Sequence, residues 1–198
     1  MRAFRKTDVV VGKSIYLRAA TKADAAFVFE LRSHSFKSTY LHKIHGTVKD
    51  QEAWLEKSYA DPHQFYFTIN SAAHERLGLV RIYDQQGDSF CWGSWLIKDG
   101  APASTAIESA LLVYRFALSQ GFKQSHFDVR IGNDSVIAFH QRFGASEVCR
   151  TDSDIYFRIE RDAICSSMQR FKKFLPVETA ATASVSESGP TVSDADPV

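Results

Sequence analysis

The sequence predicts an α+β protein built around one mixed β-sheet. In the middle of the chain, residues 64–70, 77–84 and 89–97 are short apolar runs separated by turns, a pattern typical of an antiparallel meander. A long amphipathic helix and one further strand follow this meander. Because such a strand–helix–strand crossover joins parallel strands, the second half of the sheet is predicted to contain a parallel pair.

Before the meander, the sequence predicts one strand and two helices. After a basic lead-in, the elements are a strand, a helix, a loop and a second helix, over 14–20, 21–34, 35–47 and 50–60. Thr21 with Asp24 three residues later is typical of a helix start, because the two side chains can cap the first turn. The second helix ends before Pro62, since the residue preceding a proline avoids the helical conformation.

After the meander, the chain alternates helices and strands. The predicted elements are a small-residue loop, the longest helix, a strand, a short helix and a last strand or hairpin, over 98–104, 105–120, 125–131, 133–143 and 148–158. Gly121 ends the longest helix, because glycine readily adopts the left-handed conformation found there. Asn133 or Asp134 caps the short helix, which Gly144 ends.

The chain is predicted to hold one domain and two C-terminal additions. Residues 1–163 form the domain, and residues 164–175 form an amphipathic helix. Its apolar face is predicted to pack on the domain or on a second copy of the chain, which makes a homodimer a candidate assembly. A membrane surface is the less favoured alternative. Residues 176–198 are acidic, lack aromatic residues and are predicted to be disordered, because they cannot bury enough apolar surface.

The composition of the chain argues against some classes of function. The chain has 198 residues, of which 44% are hydrophobic and 24% charged, and its formal net charge is +1. Such a balanced charge gives no reason to expect nucleic acid or a membrane as the main partner. Three cysteines without a C-x-x-C pair, and no long apolar or signal-type segment, predict a cytoplasmic protein with reduced thiols.

The connection from the Trp-rich strand to the longest helix is the first candidate binding site. Its small side chains, from Gly100 to Ser104, allow a ligand to approach the backbone. The first amides of a helix have no partner within it and carry the positive end of the helix dipole, which suits a pyrophosphate. The alternative is an ordinary tight strand–helix connection, and the loop alone does not decide between them.

The next strand end and the short helix after it carry the most specific pattern. Val129, Asn133, Phe139, His140 and Gly144 fit V-x-x-x-N-x-x-x-x-x-F-(Y/H)-x-x-x-G. With this pattern and the predicted element order, roughly residues 14–160 resemble the GNAT superfamily of acetyltransferases. Within it, the ending FHQRFGA and the Trp-rich strand resemble enzymes that acetylate amino sugars on nucleotide carriers. The resemblance implies that the parallel pair of strands splays apart.

The resemblance also implies acetyl-coenzyme A (acetyl-CoA) as the acyl donor. In the family its pyrophosphate binds a Q/R-x-x-G-x-G/A loop, and the corresponding stretch here lacks the Arg or Gln and the second Gly. Small residues and two hydroxyls remain at that place. The residues expected to bind the cofactor are Ala103, Ser104, Thr105 and Ala106 at the loop, Trp95, Leu96 and Ile97 in the strand, and Asn133 and His140 across the opening.

Two side chains are expected to act in catalysis. His140 stands where the family often has a tyrosine that protonates the leaving thiolate, and an imidazole can also donate a proton; the alternative is a packed side chain on the helix. A backbone N–H near Leu96 or Ile97 would bind the oxyanion. The nearby acids that could take the amine's proton are Glu30, Asp84, Glu108 and Asp128. Asp84 is the candidate because it ends a central strand near the expected acceptor, with a turn residue as its alternative role.

By the same resemblance, the segment between the first two helices is the expected wall of the acceptor pocket. Tyr40, with His34, His42 and His45, would suit stacking on a sugar or a base. The sequence predicts no metal site there, because His42 and His45 have no third ligand at a sensible spacing and no nearby cysteine.

Three functions remain open from the sequence. The first is an N-acetyltransferase for a small-molecule amine, with a nucleotide-linked amino sugar as the leading candidate. The second is a protein N-terminal acetyltransferase, although the sequence shows no acidic or open groove for a peptide. The third is a non-catalytic acyl-CoA-binding module, which the altered phosphate loop and the missing tyrosine favour.

Overall fold

Eight strands form one mixed sheet. A computed structural model describes residue 4, residues 9–34, residue 40 and residues 46–176 of the chain. The strands are β1 (Val9–Val11), β2 (Ile15–Ala19), β3 (Phe65–Ser71), β4 (Arg76–Gln86), β5 (Ser89–Ile97), β6 (Gln124–Arg130), β7 (Ser146–Arg150) and β8 (Asp154–Ile159). They are hydrogen-bonded in the order β1-β2-β3-β4-β5-β6-β8-β7. Every neighbouring pair is antiparallel except β5 and β6, which confirms the predicted α+β sheet with a parallel pair.

Five α-helices accompany the sheet in the described part of the chain. They are α1 (Ala25–His34), α2 (Val48–Ala60), α3 (Ser104–Ser119), α4 (Asp134–Arg142) and α5 (Arg161–Arg170). The helix predicted over 164–175 begins earlier, because Glu160 is extended and starts it, and it gives way at Phe171 to a short 3-10 turn. The predicted disordered tail lies outside the described residues, apart from Pro176. Among the described residues, no helix combines the length and apolar character needed to span a membrane.

The two faces of the sheet are covered unevenly. Helices α3, α4 and α5 pack on one face, called here the α3 face, where Phe67, Val80 and Leu111 belong to the larger buried cluster. Helices α1 and α2 pack on the opposite, α1–α2 face, where Val28 and Leu79 belong to a smaller cluster. Within the described residues, the smaller cluster draws on β3, β4 and β5 but on none of the last three strands. The described helices therefore leave the α1–α2 face uncovered beside β6 and β8.

The parallel strands β5 and β6 are paired over only a short length. Three residue pairs join them, and the last of these is Cys91 with His126. Beyond this pair, β5 continues to Ile97 and β6 to Arg130 without bonding to each other. The sheet thus opens between two neighbouring strands, which confirms the splayed pair that the resemblance implied.

A β-bulge lies in the part of β5 that pairs with β4 but not with β6. Ser94 and Trp95 lie opposite the single residue Val80 of β4, and Ser94 has a φ of +48°. An extra residue in a strand shifts its alternation by one, so later side chains change faces. As a result, Trp92 and Trp95 both pack on the α3 face although they are three positions apart.

A buried carboxylate fastens the first two strands to α3. Oε1 of Glu108 accepts the backbone amides of Lys13, Ser14 and Ile15 at 2.5, 2.7 and 3.2 Å. Glu108 is only 1% exposed. It is therefore a structural residue, which removes it from the acids considered for catalysis. It also helps to hold β1, a strand that the sequence pattern did not predict within the lead-in.

Candidate active site

A cavity of about 860 Å³ opens where β5 and β6 separate. Its walls come from the diverging ends of both strands, from residues 98–103 with the first turn of α3, from α4, and from Arg32 and Tyr40 on the α1–α2 face. This volume lies within the range of cavities that bind small molecules. The cavity therefore joins the two stretches that the sequence singled out, the strand–loop–helix after β5 and the helix after β6.

The loop before α3 forms the cavity wall with small residues. Gly100, Ala101, Pro102, Ala103 and Ala106 line the cavity. Gly100 has a φ of +80°, so a side chain there would be strained, and this turn brings the loop to the helix start. The small side chains leave the start of α3 accessible from the cavity, as a phosphate site would need.

Two of the predicted loop residues do not line the cavity. Ser104 and Thr105 both belong to the first turn of α3 and lie behind its surface. The Thr105 amide already donates to the carbonyl of Pro102 at 2.9 Å, and its hydroxyl is buried without a partner among the described residues. The cavity lining therefore gives no support to the predicted hydroxyl contacts with a ligand.

The strand residues predicted to bind the cofactor fall on both faces. Trp95 and Ile97 line the cavity, and the indole N–H of Trp95 donates to the Ser109 hydroxyl of α3 at 3.1 Å. Leu96 points to the α1–α2 face, where it is buried. Leu96 could therefore bind the cofactor only through its backbone.

Asn133 stands at the start of α4 as its N-cap residue. Its carbonyl accepts the amides of Val136 and Ile137, while its side chain makes no capping bond and lines the cavity. Tyr40 donates its hydroxyl to the carbonyl of Gly132 at 2.9 Å and lines the same cavity. His42 and His45, which the sequence analysis grouped with Tyr40, lie outside the described residues, as does the side chain of His34.

His140 lies on the inner wall of the cavity and is 5% exposed. Its ring packs against Phe127 and Trp92, with centroids 4.1 and 5.1 Å away. Burial lowers the pKa of His140 to about 3, since an apolar surrounding disfavours the charged form. The ring is thus neutral at pH 7, so it can offer a hydrogen bond through its N–H but is a weaker proton donor than its ordinary pKa suggested. Its Nδ1 atom has no partner among the described residues.

Asp84 is turned away from the cavity. It lies in a second β-bulge, where Asp84 and Gln85 face the single residue Phe90, and its φ is +46°. Its carboxylate instead contacts Nε2 of His126 at 3.2 Å, and the Asp84 side chain is 55% exposed. The prediction of Asp84 as the catalytic base therefore finds no support in the geometry, because the bulge redirects the side chain.

The α1–α2 side of the cavity carries further charged and aromatic side chains, of which the sequence analysis considered only Asp128. They are Arg32, Tyr83, Asp128, Arg130, Asp154 and Tyr156. Asp128 and Arg130 alternate along β6 beyond its last bond to β5, so they share one face of the opening. That alternation past the predicted parallel pair was the only signal in the sequence that could have found them.

The sequence itself identifies the family of this site. Residues 14–146 match the family described as acetyltransferase (GNAT) domain, which covers more than half of the chain. The chain belongs to the GNAT acetyltransferase family. The resemblance in the β6–α4 pattern is thereby confirmed, and this GNAT chain is an N-acetyltransferase.

Solved GNAT structures share its architecture. The apo structure of FdhC, a nucleotide-linked sugar GNAT, is 33% identical with a TM-score of 0.77, covering 85% of this chain and 98% of FdhC. Spermidine N-acetyltransferase from Vibrio cholerae, in complex with CoA and spermine, is 14% identical with a TM-score of 0.69, covering 77% and 98%. A GCN5-related N-acetyltransferase from Brucella melitensis is 14% identical with a TM-score of 0.71, covering 85% of each chain. The last two show the GNAT fold alone. No curated protein matches the chain.

Proposed function

We propose that the chain transfers an acetyl group from acetyl-CoA to the primary amine of a nucleotide-linked amino sugar. The observation that carries this proposal is the two-sided cavity between β5 and β6. One side has a helix start lined with small residues, and the other has arginines and tyrosines. The 33% identity with FdhC, over 98% of that chain, supports a nucleotide-linked sugar as the acceptor. The free cysteines and these small-molecule partners agree with a cytoplasmic enzyme.

The α3 side of the cavity suits acetyl-CoA. Ala103 and Ala106 line the cavity at the positive end of the α3 dipole, where a pyrophosphate would be stabilised. Unpaired backbone along Trp95–Ile97 would bond the pantetheine arm, with the Asn133 side chain on the opposite wall. The thioester would supply the activated acyl group for transfer.

The α1–α2 side suits the nucleotide-linked sugar. Arg32 and Arg130 would pair with a diphosphate, for which the planar guanidinium is well shaped. Tyr156 is 41% exposed on the open face and offers a surface on which a base or sugar could stack. Tyr40 closes this side across the start of α4. These groups match the anionic and ring portions of such an acceptor.

His140 is the group best placed to assist the departing sulfur. It lines the cavity from α4, near the inner end of the opening, between Trp92 and Phe127. Because the ring is neutral, it would stabilise the thiolate through a ring N–H and leave final protonation to water. A backbone N–H near Leu96 or Ile97 would bind the developing oxyanion.

A negative charge at the start of α3 should weaken cofactor binding. Replacing Ala103 with glutamate places a carboxylate where the pyrophosphate is expected, so the Kd for acetyl-CoA should rise about tenfold or more. Isothermal calorimetry measures this constant. Ala72→Glu adds the same charge at an exposed turn between β3 and β4 and should leave the Kd unchanged. Equal Kd values for the two variants would place the pyrophosphate elsewhere.

A thiol-release assay with a panel of acceptors tests the whole proposal. The panel contains nucleotide-linked amino sugars, the same free amino sugars, polyamines and short peptides. We expect turnover with the nucleotide-linked sugars and at least tenfold lower kcat/KM without the nucleotide. Turnover on peptides alone would instead indicate a protein N-terminal acetyltransferase. Tight acetyl-CoA binding without turnover on any amine would indicate the acyl-CoA-binding module that the altered phosphate loop also allows.

A further inference from the structure

Within the described part of the chain, three carboxylates line the cavity, and their surroundings differ. Asp154 is engaged: the Ser153 hydroxyl donates to it at 2.5 Å, and Nε of Arg130 lies 3.9 Å from it. Asp99 belongs to the loop before α3, on the cofactor side, and has an interaction of its own. Asp128 lines the cavity from β6, and no described residue donates a hydrogen bond to its carboxylate or pairs with it as a cation. Asp128 is therefore the acid left open to a ligand.

Asp128 and His140 approach the opening from opposite faces of the sheet. Phe127 packs its ring on His140, on the α3 face. Because side chains alternate along a strand, the next residue, Asp128, faces the α1–α2 side. On that side, Tyr83 stacks on Arg81, whose guanidinium also lies over Trp54 of α2. Tyr83 and Asp128 both line the cavity, so the carboxylate belongs to the acceptor half.

The position of Asp128 along β6 places it at the mouth of the splay. The last bonded pair is Cys91 with His126, so Asp128 is the second residue of β6 in the open part. Its antiparallel partner on β8 is Tyr156, which also lines the cavity. A substrate amine that reaches the opening from the α1–α2 face would pass this carboxylate before meeting an acyl group held between the strands.

Two acid–base groups beside Asp128, the Cys91 thiol and the Tyr83 hydroxyl, cannot accept a proton at neutral pH. Burial raises the pKa of Cys91 to about 12 and also raises that of Tyr83, and the charge of Asp128 raises both further. Both side chains therefore stay protonated. Among the described residues, the titratable and charged groups that face this side are Arg81 and Tyr83 of β4, Cys91 of β5, His126 and Arg130 of β6, Asp154, Tyr156 and Arg158 of β8, Arg32 of α1, and Tyr40.

We propose that Asp128 is the general base that deprotonates the acceptor amine, an inference that rests on the proposed acetyl transfer. The ammonium N–H bond breaks as its proton passes to a carboxylate oxygen of Asp128. The freed nitrogen lone pair forms the C–N bond to the acyl carbon. The carbonyl π pair moves onto oxygen as this bond forms and returns as the C–S bond breaks, whose electron pair remains on sulfur. The nitrogen then gives up its second proton, which passes through water to the thiolate. Asp128 finally loses the proton to water through the open face of the sheet.

Asp128→Asn tests this role because it keeps the size of the side chain and removes its basicity. With a nucleotide-linked amino sugar that the wild type accepts, kcat should fall about 100-fold at pH 7, with a smaller change in KM. The rate of the variant should then rise about tenfold per pH unit until the amine's own pKa, because free amine needs no base. Asp128→Glu should recover part of kcat, and calorimetry should show an unchanged Kd for acetyl-CoA.

A control variant and two contrary outcomes distinguish a failure of this inference from a failure of the proposed function. Asp152→Asn removes a carboxylate from the exposed turn between β7 and β8 and should keep the wild-type rate and pH profile. An Asp128→Asn enzyme with wild-type kcat and pH profile would overturn the role of Asp128 while acetyl transfer stands. A wild-type enzyme that acetylates no amine of the panel would overturn the proposed function, and the inference with it.

Discussion

Replacing Glu108 with alanine should lower the free energy of unfolding by about 3–5 kcal/mol, which is among the largest effects expected of a single substitution. The reason is that three backbone amides, at residues 13–15, share one carboxylate oxygen as their acceptor. The site is buried, so water cannot freely replace the lost acceptor. Alanine also leaves a gap between α3 and the β1–β2 hairpin.

Urea denaturation followed by circular dichroism measures this loss. Glu108→Gln keeps an oxygen acceptor of the same reach, so it should cost less than half as much as alanine. Glu52→Ala, an exposed change on α2, should shift stability by about 0.5 kcal/mol or less. If the Gln and Ala variants were equally destabilised, the effect would come from the lost charge rather than from the lost acceptor.

Mild acid should destabilise the protein through His140. In the folded state burial holds the pKa of His140 at about 3, whereas in the unfolded chain it is near 6.5. Between these values only the unfolded state binds the proton, so stability is full above pH 6.5 and is lost as the pH falls. The slope should approach about 1.4 kcal/mol per pH unit. Asp24, whose pKa is lowered from 3.8 by contacts that outweigh its burial, adds its own loss only at lower pH.

Urea unfolding between pH 7 and pH 4 measures this slope. His140→Phe, which keeps an aromatic ring among Trp92 and Phe127, should remove most of the slope whatever its effect on stability at pH 7. His63→Phe changes an exposed histidine and should leave the slope in place. A wild-type stability that is flat across this range would mean that the folded protein opens to let His140 take up a proton.

Most of the fold could be predicted from the sequence, because local patterns determine most of its helices and strands. The predicted strands and helices match β2–β6 and α1–α4 within a few residues, because their apolar periods are clear and turns or caps separate them. β1 escaped prediction because a three-residue strand carries almost no period, and it depends on Glu108, more than 90 residues away. A contact with a residue so distant in sequence produces no recognisable pattern in the residues next to the strand.

The site was predictable in outline and less so in its side chains. The family resemblance implied the wall residues Trp95, Ile97 and Asn133, and the strand–loop–helix connection predicted Ala103. The sequence suggested Asp84 as the base because it ends a strand, but a bulge turns it outward. Bulges depend on how a neighbouring strand pairs, which is not encoded at the position itself. Asp128, one of the four acids considered, is distinguished only by the missing partners around it.

The extra residue in β5 has a consequence for how this enzyme can vary. Deleting Ser94 would restore plain alternation, so that Trp95 would turn towards α1 and α2 and Leu96 would enter the wall beside α3. This single deletion would then disrupt the packing of both buried clusters. Exchanging Ser94 for another residue leaves every neighbour in place. Related enzymes with a working cavity should therefore differ in residue type between Trp92 and Leu96 but keep the same number of residues there.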